Sequence, residues 1–185
     1  MLNLQAILTE TIDARTKGFP HGAAPLPLSA VGAQGWTLLG GDLPFPVAVI
    51  KDSALAHNHA WMRDFTTATG VLLAPHGKTT MAPQIFAQQL AAGAWGITVA
   101  NVHQLGICAR FGVRRVIIAN QLLAARDIAQ VIRLRETYAE LELHFLIDSV
   151  AQLRLGRVRH RCARVTGAFV TPGADHSAQR LLRYA

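Results

Sequence analysis

With 185 residues, 51% apolar and 16% charged, the chain suits one folded globular domain, too apolar for disorder and too short for two sizeable cores. No apolar run approaches the roughly eighteen residues of a membrane span, and Glu10 and Asp13 interrupt the place of a signal core. Cys108 and Cys162 stand far apart without metal-type neighbours, so a reduced, cytoplasmic protein with no membrane contact is expected. The net charge of +7 is local. Residues 1–153 carry 11 Lys+Arg against 10 Asp+Glu, while the last 32 residues carry 7 Arg against Asp175 alone.

In chain order, Leu4, Leu8 and Ile12 at helical spacing predict a short amphipathic helix over residues 1–17. Residues 18–44 are rich in Gly and Pro (GFPHGAAPLPL, GGDLP) and read as a wrapping segment. From Pro46 a rhythm begins, with apolar runs at 47–50, 71–74, 96–99, 116–119 and 143–147. Helical patterns separate them at 53–68, 82–92, 102–111 and 124–139, with another starting at 149–155. Continuous apolar strands alternating with helices are the pattern of βα units on a parallel sheet. Asp52 or Ser53 can cap the first helix, Pro83 suits the start of the second, and Gly93 and Gly112 suit left-handed helix ends. Periodicity leaves a barrel and an open doubly wound sheet equally open. Three segments follow: 1–45, an N-terminal helix and wrapping segment; 46–153, the α/β body; and 154–185, an Arg-rich tail.

In either architecture the chemistry gathers at the C-terminal ends of the strands. Those ends carry His76 to Thr79, Asn101 with His103, Asn120-Gln121, and Asp148-Ser149. Each is a polar group breaking directly out of an apolar run, which fits a lined pocket and plain helix capping about equally.

The stretch LLAPHGKTTMAP (72–83) is the most pointed of these. Gly77-Lys78-Thr79 matches the end of a P-loop, but that motif requires glycine five residues before Gly77, where Leu72 stands. Lys78 has no acid within five residues on either side. A lysine at the end of an apolar strand is either a solvated loop residue or a desolvated amine that can attack a carbonyl.

The run from Ala74 to Leu122 resembles the N-terminal barrel of the pyridoxal 5′-phosphate enzymes that include D-threonine aldolases, D-serine dehydratases and bacterial amino acid deaminases. The resemblance rests on Pro75-His76-x-Lys78-Thr79, Ala91–Ala94, Thr98–Ala100 and Ile118–Gln121, and it covers about residues 18–153. The lead-in GFPHGAAPLPL and the segment AQGWTLLGGDLP bring it nearest to the deaminase branch. It implies an alanine-racemase-like (β/α)8 barrel, of which about five βα units are present and the C-terminal β-domain is missing. It further implies that Lys78 bonds covalently to pyridoxal 5′-phosphate and is the catalytic base. His76, Thr79, Asn101, Asn120 and Asp148 are the expected cofactor-site neighbours.

The implied activity is deamination of D-amino acids such as D-serine or D-threonine, with a D-threonine aldolase or a non-catalytic cofactor-binding module as alternatives. The implied partner is a small D-amino acid. The resemblance also allows a homodimeric parent and a divalent metal there, with the metal ligands outside this chain. The chain itself is expected to be an inactive fragment.

Past residue 153 the text GRVRHRCARVTGAFVTPGADHSAQRLLRYA loses the βα rhythm, and its composition suggests a shifted reading frame in a GC-rich gene. A non-native or disordered tail is therefore expected, and a nucleic-acid arm is disfavoured, because the tail lacks Lys and has only Phe169 and Tyr184 as aromatics. His57 and His59 on one helix, and His160 and His176 in the tail, lack the spacing of a metal site.

Overall fold

The computed structural model describes residues 2–152 and 154, together with the backbone of Ala168–Val170. Two compact units are present: Asn3–Asn58, and Leu2 with the chain from His59 onward.

The first unit contains little regular structure. Helix α1 spans only Gln5–Leu8, and Thr11–Ile12 (β1) pairs antiparallel with Leu26–Pro27 (β2), followed by a 3₁₀ segment at Leu28–Gln34. The helix expected over 1–17 is thus four residues long. Beyond Leu8 the chain instead pairs with β2, and the Glu10 carbonyl accepts from Leu28 N. Residues 47–50 are not a strand, contrary to the sequence expectation. Val49 and Ile50 are exposed, and an apolar run without a neighbouring edge has no partner for its backbone groups.

Helix α2 runs from Asp52 to Thr69 and ends at Gly70 (φ 69°), with none of its residues buried and Trp61 stacked on Phe65. The second unit then follows the βα alternation closely. Helix α3 spans Pro83–Ala91, β3 Ile97–Val99, α4 Val102–Arg110, β4 Arg115–Gln121, α5 Ala125–Thr137, and β5 Glu142–Ile147. A further helix opens at 150. Pro83 starts α3, and Gly93 and Gly112 take φ 98° and 86° just past α3 and α4, the left-handed geometry that lets a helix end. The sheet order is β3-β4-β5-β6, all parallel, where β6 is Ala168–Val170. That last strand lies in the stretch read from sequence as lacking βα rhythm; the rest of 155–185 lies outside the described residues.

The core sits between the sheet and α3–α5. Phe86, Ile97, Val99, Leu105, Cys108, Val116 and Ile118 are fully buried, and burial pushes the Cys108 thiol up to about 12, leaving it an inert apolar filler.

The N-terminal edge of this sheet is clamped by charge. Glu142 hydrogen-bonds His144 Nε2 (3.0 Å) and Arg115 Nε (3.1 Å), and Arg115 lies over the Trp95 ring. These partners, His144 first, hold the Glu142 carboxyl below its ordinary value of 4.5. A depressed carboxyl stabilises the fold above its unfolded pKa, and that contribution is lost as pH falls through the folded one. The urea midpoint of the native chain is therefore expected to drop more between pH 5 and pH 3 than that of Glu142→Gln. The difference should stay small, because the side chain is 40% exposed; parallel curves for the two proteins would refute the linkage.

Candidate active site at the C-terminal sheet edge

Residues 71–77 are the element that delivers Lys78. The stretch read as a strand at 71–74 is not one: Val71 and Leu72 are exposed, and only 73–77 follow the free edge of β3. Trp95 N donates to the Leu73 carbonyl, Thr98 N to the Pro75 carbonyl, and Gly77 N to the Thr98 carbonyl, each at 2.8 Å. His76 pairs in parallel with Thr98. Regularity fails because Pro75 has no N–H to give the ladder. Directly after the last of these bonds stand Lys78 and Thr79, both exposed. Gly77 is required by space, because a Cβ there would come within 2.5 Å of the Phe86 ring and 2.8 Å of Ile97 Cγ2. The loop closes with Met81 N donating to the Gly77 carbonyl and with Met81 itself at φ 45°, an uncommon left-handed conformation for that residue.

The other strand ends meet the same edge. Asn101 caps α4, its Oδ1 accepting from Gln104 N (3.0 Å) while Gln104 Oε1 accepts from Ala100 N (2.8 Å). An equivalent corner follows β5. Ser149 Oγ accepts from Gln152 N (3.2 Å) and Gln152 Oε1 accepts from Asp148 N (3.1 Å). Both resemble capping boxes with glutamine at the third helical position, except that each glutamine accepts from the N–H of the residue before the cap.

Between them β4 carries a bulge. The register passes from Ile118 opposite Phe145 to Gln121 opposite Leu146, so Ala119 and Asn120 leave the ladder. Asn120 Nδ2 then donates to the Ala100 carbonyl (2.7 Å), and Gln121 Nε2 to Asp148 Oδ2 (2.9 Å). A hydrogen-bonded rim results, linking the ends of β3, β4 and β5.

Lys78, His76, Thr79, Asn101, Asn120 and Asp148 therefore share one edge of one parallel sheet, although Asn101 acts as a helix cap and Asn120 and Asp148 tie strand to strand. Gln121 stands at the rim where the strand-end pattern put it, whereas Gln104 and Gln152 are rim residues that pattern left out. The repeated spacing of Ala100-Asn101-x-x-Gln104 and Asp148-Ser149-x-x-Gln152 is the signal that could have found them. The desolvation considered for Lys78 is not provided by the described residues, since its side chain is exposed. It also makes no hydrogen bond or ion pair among them.

A cavity of about 1060 Å³, lined among others by Leu90, Ala94, Trp95, Arg115, Tyr138 and Leu141, opens at the opposite, N-terminal edge. We place the chemistry at the C-terminal edge regardless, because the strand ends there converge on polar groups and a lysine. Among the described residues, no three His, Cys, Asp or Glu side chains gather as metal ligands, and no helix is long and apolar enough to cross a membrane.

These elements define an α/β chain with the fold shared by D-threonine aldolases and related dehydratases. The structure matches D-threonine aldolase from Filomicrobium marinum with a TM-score of 0.59 at 23% identity, over 63% of this chain and 31% of that one. It matches D-threo-3-hydroxyaspartate dehydratase from Delftia sp. HT23 with a TM-score of 0.59 at 32% identity, over 64% and 31%. A metal-free mutant of that dehydratase matches with a TM-score of 0.62 at 29% identity, over 69% and 33%.

In sequence, the chain is homologous to the same D-threo-3-hydroxyaspartate dehydratase of Delftia sp. (strain HT23), 35% identical over 109 residues. That alignment takes in 59% of this chain and 28% of the dehydratase, so the chain spans under a third of the curated relative it matches. No family model matches the chain. The family resemblance read from the Pro-His-x-Lys-Thr segment agrees with these relatives.

Proposed function

We propose that this chain is the lysine-bearing portion of a pyridoxal 5′-phosphate-dependent lyase that deaminates small D-amino acids carrying a β-hydroxyl, such as D-serine or D-threonine. The hydroxyl leaves as water, and hydrolysis of the resulting enamine takes up one water and releases ammonia and a keto acid. The observation that carries this reading is Lys78, unpaired among the described residues and held at the C-terminal sheet edge by a strand locked to β3. The homology to a dehydratase of a β-hydroxy D-amino acid supports the reaction class.

The described residues fit the aldehyde end of the cofactor, for which an accessible amine is the requirement. They supply less for its phosphate, because Asn101, Asn120 and Asp148 already spend polar atoms on the rim. When bound, pyridoxal phosphate supplies an electron sink for the charge left at Cα. Lys78 Nζ is the atom that would hold the cofactor's aldehyde carbon, and as a free amine it would serve as the base for the Cα proton. His76 and Thr79 stand close to Lys78 in sequence, both exposed at the same edge. The Gln121–Asp148 and Asn120–Ala100 bonds keep the facing strand ends from spreading.

Three lysines in the whole chain make the test direct: Lys17, Lys51 and Lys78. Pyridoxal phosphate followed by borohydride and peptide mapping is expected to place pyridoxyl on Lys78. Label on Lys17 and Lys51 alone would refute the assignment. Keto-acid release from D-serine and D-threonine is expected to be weak, because this length holds no complete phosphate cradle among its described residues. Glycine as the main product would move the reaction to aldol cleavage.

A further inference from the structure

We infer that Thr98 is the positioning residue for Lys78: its hydroxyl and backbone together fix the register of the strand that carries the lysine to the sheet edge. The inference deepens the functional reading of Lys78 and rests on it.

Pro75 leaves a gap in the bonding of that strand. In a parallel ladder centred on His76 opposite Thr98, the bonds either side run from Thr98 N to the residue-75 carbonyl and from residue-77 N to the Thr98 carbonyl; both are present. The next bond toward the N-terminal edge should run from residue-75 N to the Gly96 carbonyl. Proline has no N–H, so that bond cannot form. The strand delivering Lys78 thus lacks a ladder bond three residues before the lysine. A parallel edge strand with a gap in its ladder can slip or peel, and a slip of one residue would turn its side chains to the other face.

Thr98 compensates. Its Oγ1 donates to the Ala74 carbonyl at 2.7 Å, beside the gap. With Thr98 N on the Pro75 carbonyl and Gly77 N on the Thr98 carbonyl, one residue grips the 74–77 segment at three positions, 74, 75 and 77. Thr98 is 5% exposed between fully buried Ile97 and Val99, so its hydroxyl is a polar group buried in an apolar strand and satisfied by this one acceptor. Valine would fill the same space with equal strand preference. Only the hydroxyl distinguishes the two, and the hydroxyl is spent on the lysine-bearing strand. Thr98 touches no reacting atom in this account; it acts through the backbone of 74–77.

Thr98→Val and Thr98→Ser separate holding from mere stability. In Thr98→Val the Gly77 amide should exchange with solvent about fivefold faster, the equilibrium weight of one intramolecular hydrogen bond, while amides of β5 keep their native protection. With Lys17, Lys51 and Lys78 reductively methylated with ¹³C-formaldehyde, only the Lys78 resonance should shift or broaden. The Lys78 share of trapped pyridoxyl should fall similarly, and Thr98→Ser should restore all three. Native-like Gly77 exchange and an unmoved Lys78 resonance in folded Thr98→Val would overturn the inference. So would a failure of Thr98→Ser to restore them, which covers the case in which Thr98→Val does not fold. Pyridoxyl confined to Lys17 and Lys51 in the native chain would instead sink the functional reading, while the Gly77 amide would still decide the role of Thr98.

Discussion

Phe86→Ala should cost about 3–5 kcal/mol of folding stability, the range for removing a fully buried phenyl ring, read as a lower urea midpoint. The ring is 0% exposed, belongs to the cluster with Ile97, Val99 and Leu105, and roofs the backbone at Gly77. Small domains rest on only about 5–15 kcal/mol in total, so the variant should be close to unfolding at room temperature. Phe86→Leu, which refills part of the volume, should fall between the two. A cost for Phe86→Ala below about 1 kcal/mol would show that the ring does not sit in a packed core.

Gly77→Ala is the second large effect, and it acts on the site as well as on the fold. A methyl there would meet Phe86 Cε1 at 2.5 Å, Phe86 Cζ at 2.7 Å and Ile97 Cγ2 at 2.8 Å, three atoms of fully buried side chains. Overpacking of that kind costs about 1–3 kcal/mol, and the relief open to the chain is to lift 76–78 off β3. That movement carries Lys78 with it, so its share of trapped pyridoxyl should fall together with stability. Combining Gly77→Ala with Phe86→Leu gives a sharper test, because the smaller side chain makes room for the methyl. The pair should cost clearly less than the sum of the single changes, whereas strict additivity would mean that methyl and ring do not meet.

Much of this molecule could be read from its residues in order. The apolar runs at 96–99, 116–119 and 143–147 became β3, β4 and β5, and the helices between them fell within a residue or two of their expected ends, because each carries its own period and stop signals at Gly93 and Gly112. The edge bearing Lys78, Asn101, Asn120 and Asp148 was equally legible, since parallel βα units put all their strand C-termini on one side. Local pattern could not say which apolar runs would find a partner. Residues 47–50 and 71–74 look alike in sequence and neither becomes a strand, yet the second leads into 73–77, which bonds along β3 with a gap at Pro75. Nor could it assign the polar groups of the rim. Whether Asn120 reaches a neighbouring carbonyl or Gln121 meets Asp148 depends on a bulge in β4 and on which strand lies alongside, whereas the Asn101 cap is local and spelled by its spacing to Gln104. The residues carry the periodicity that makes strands and helices. The partners that tie one strand to the next come from residues 20 or more positions away, and only the assembled sheet brings those within reach.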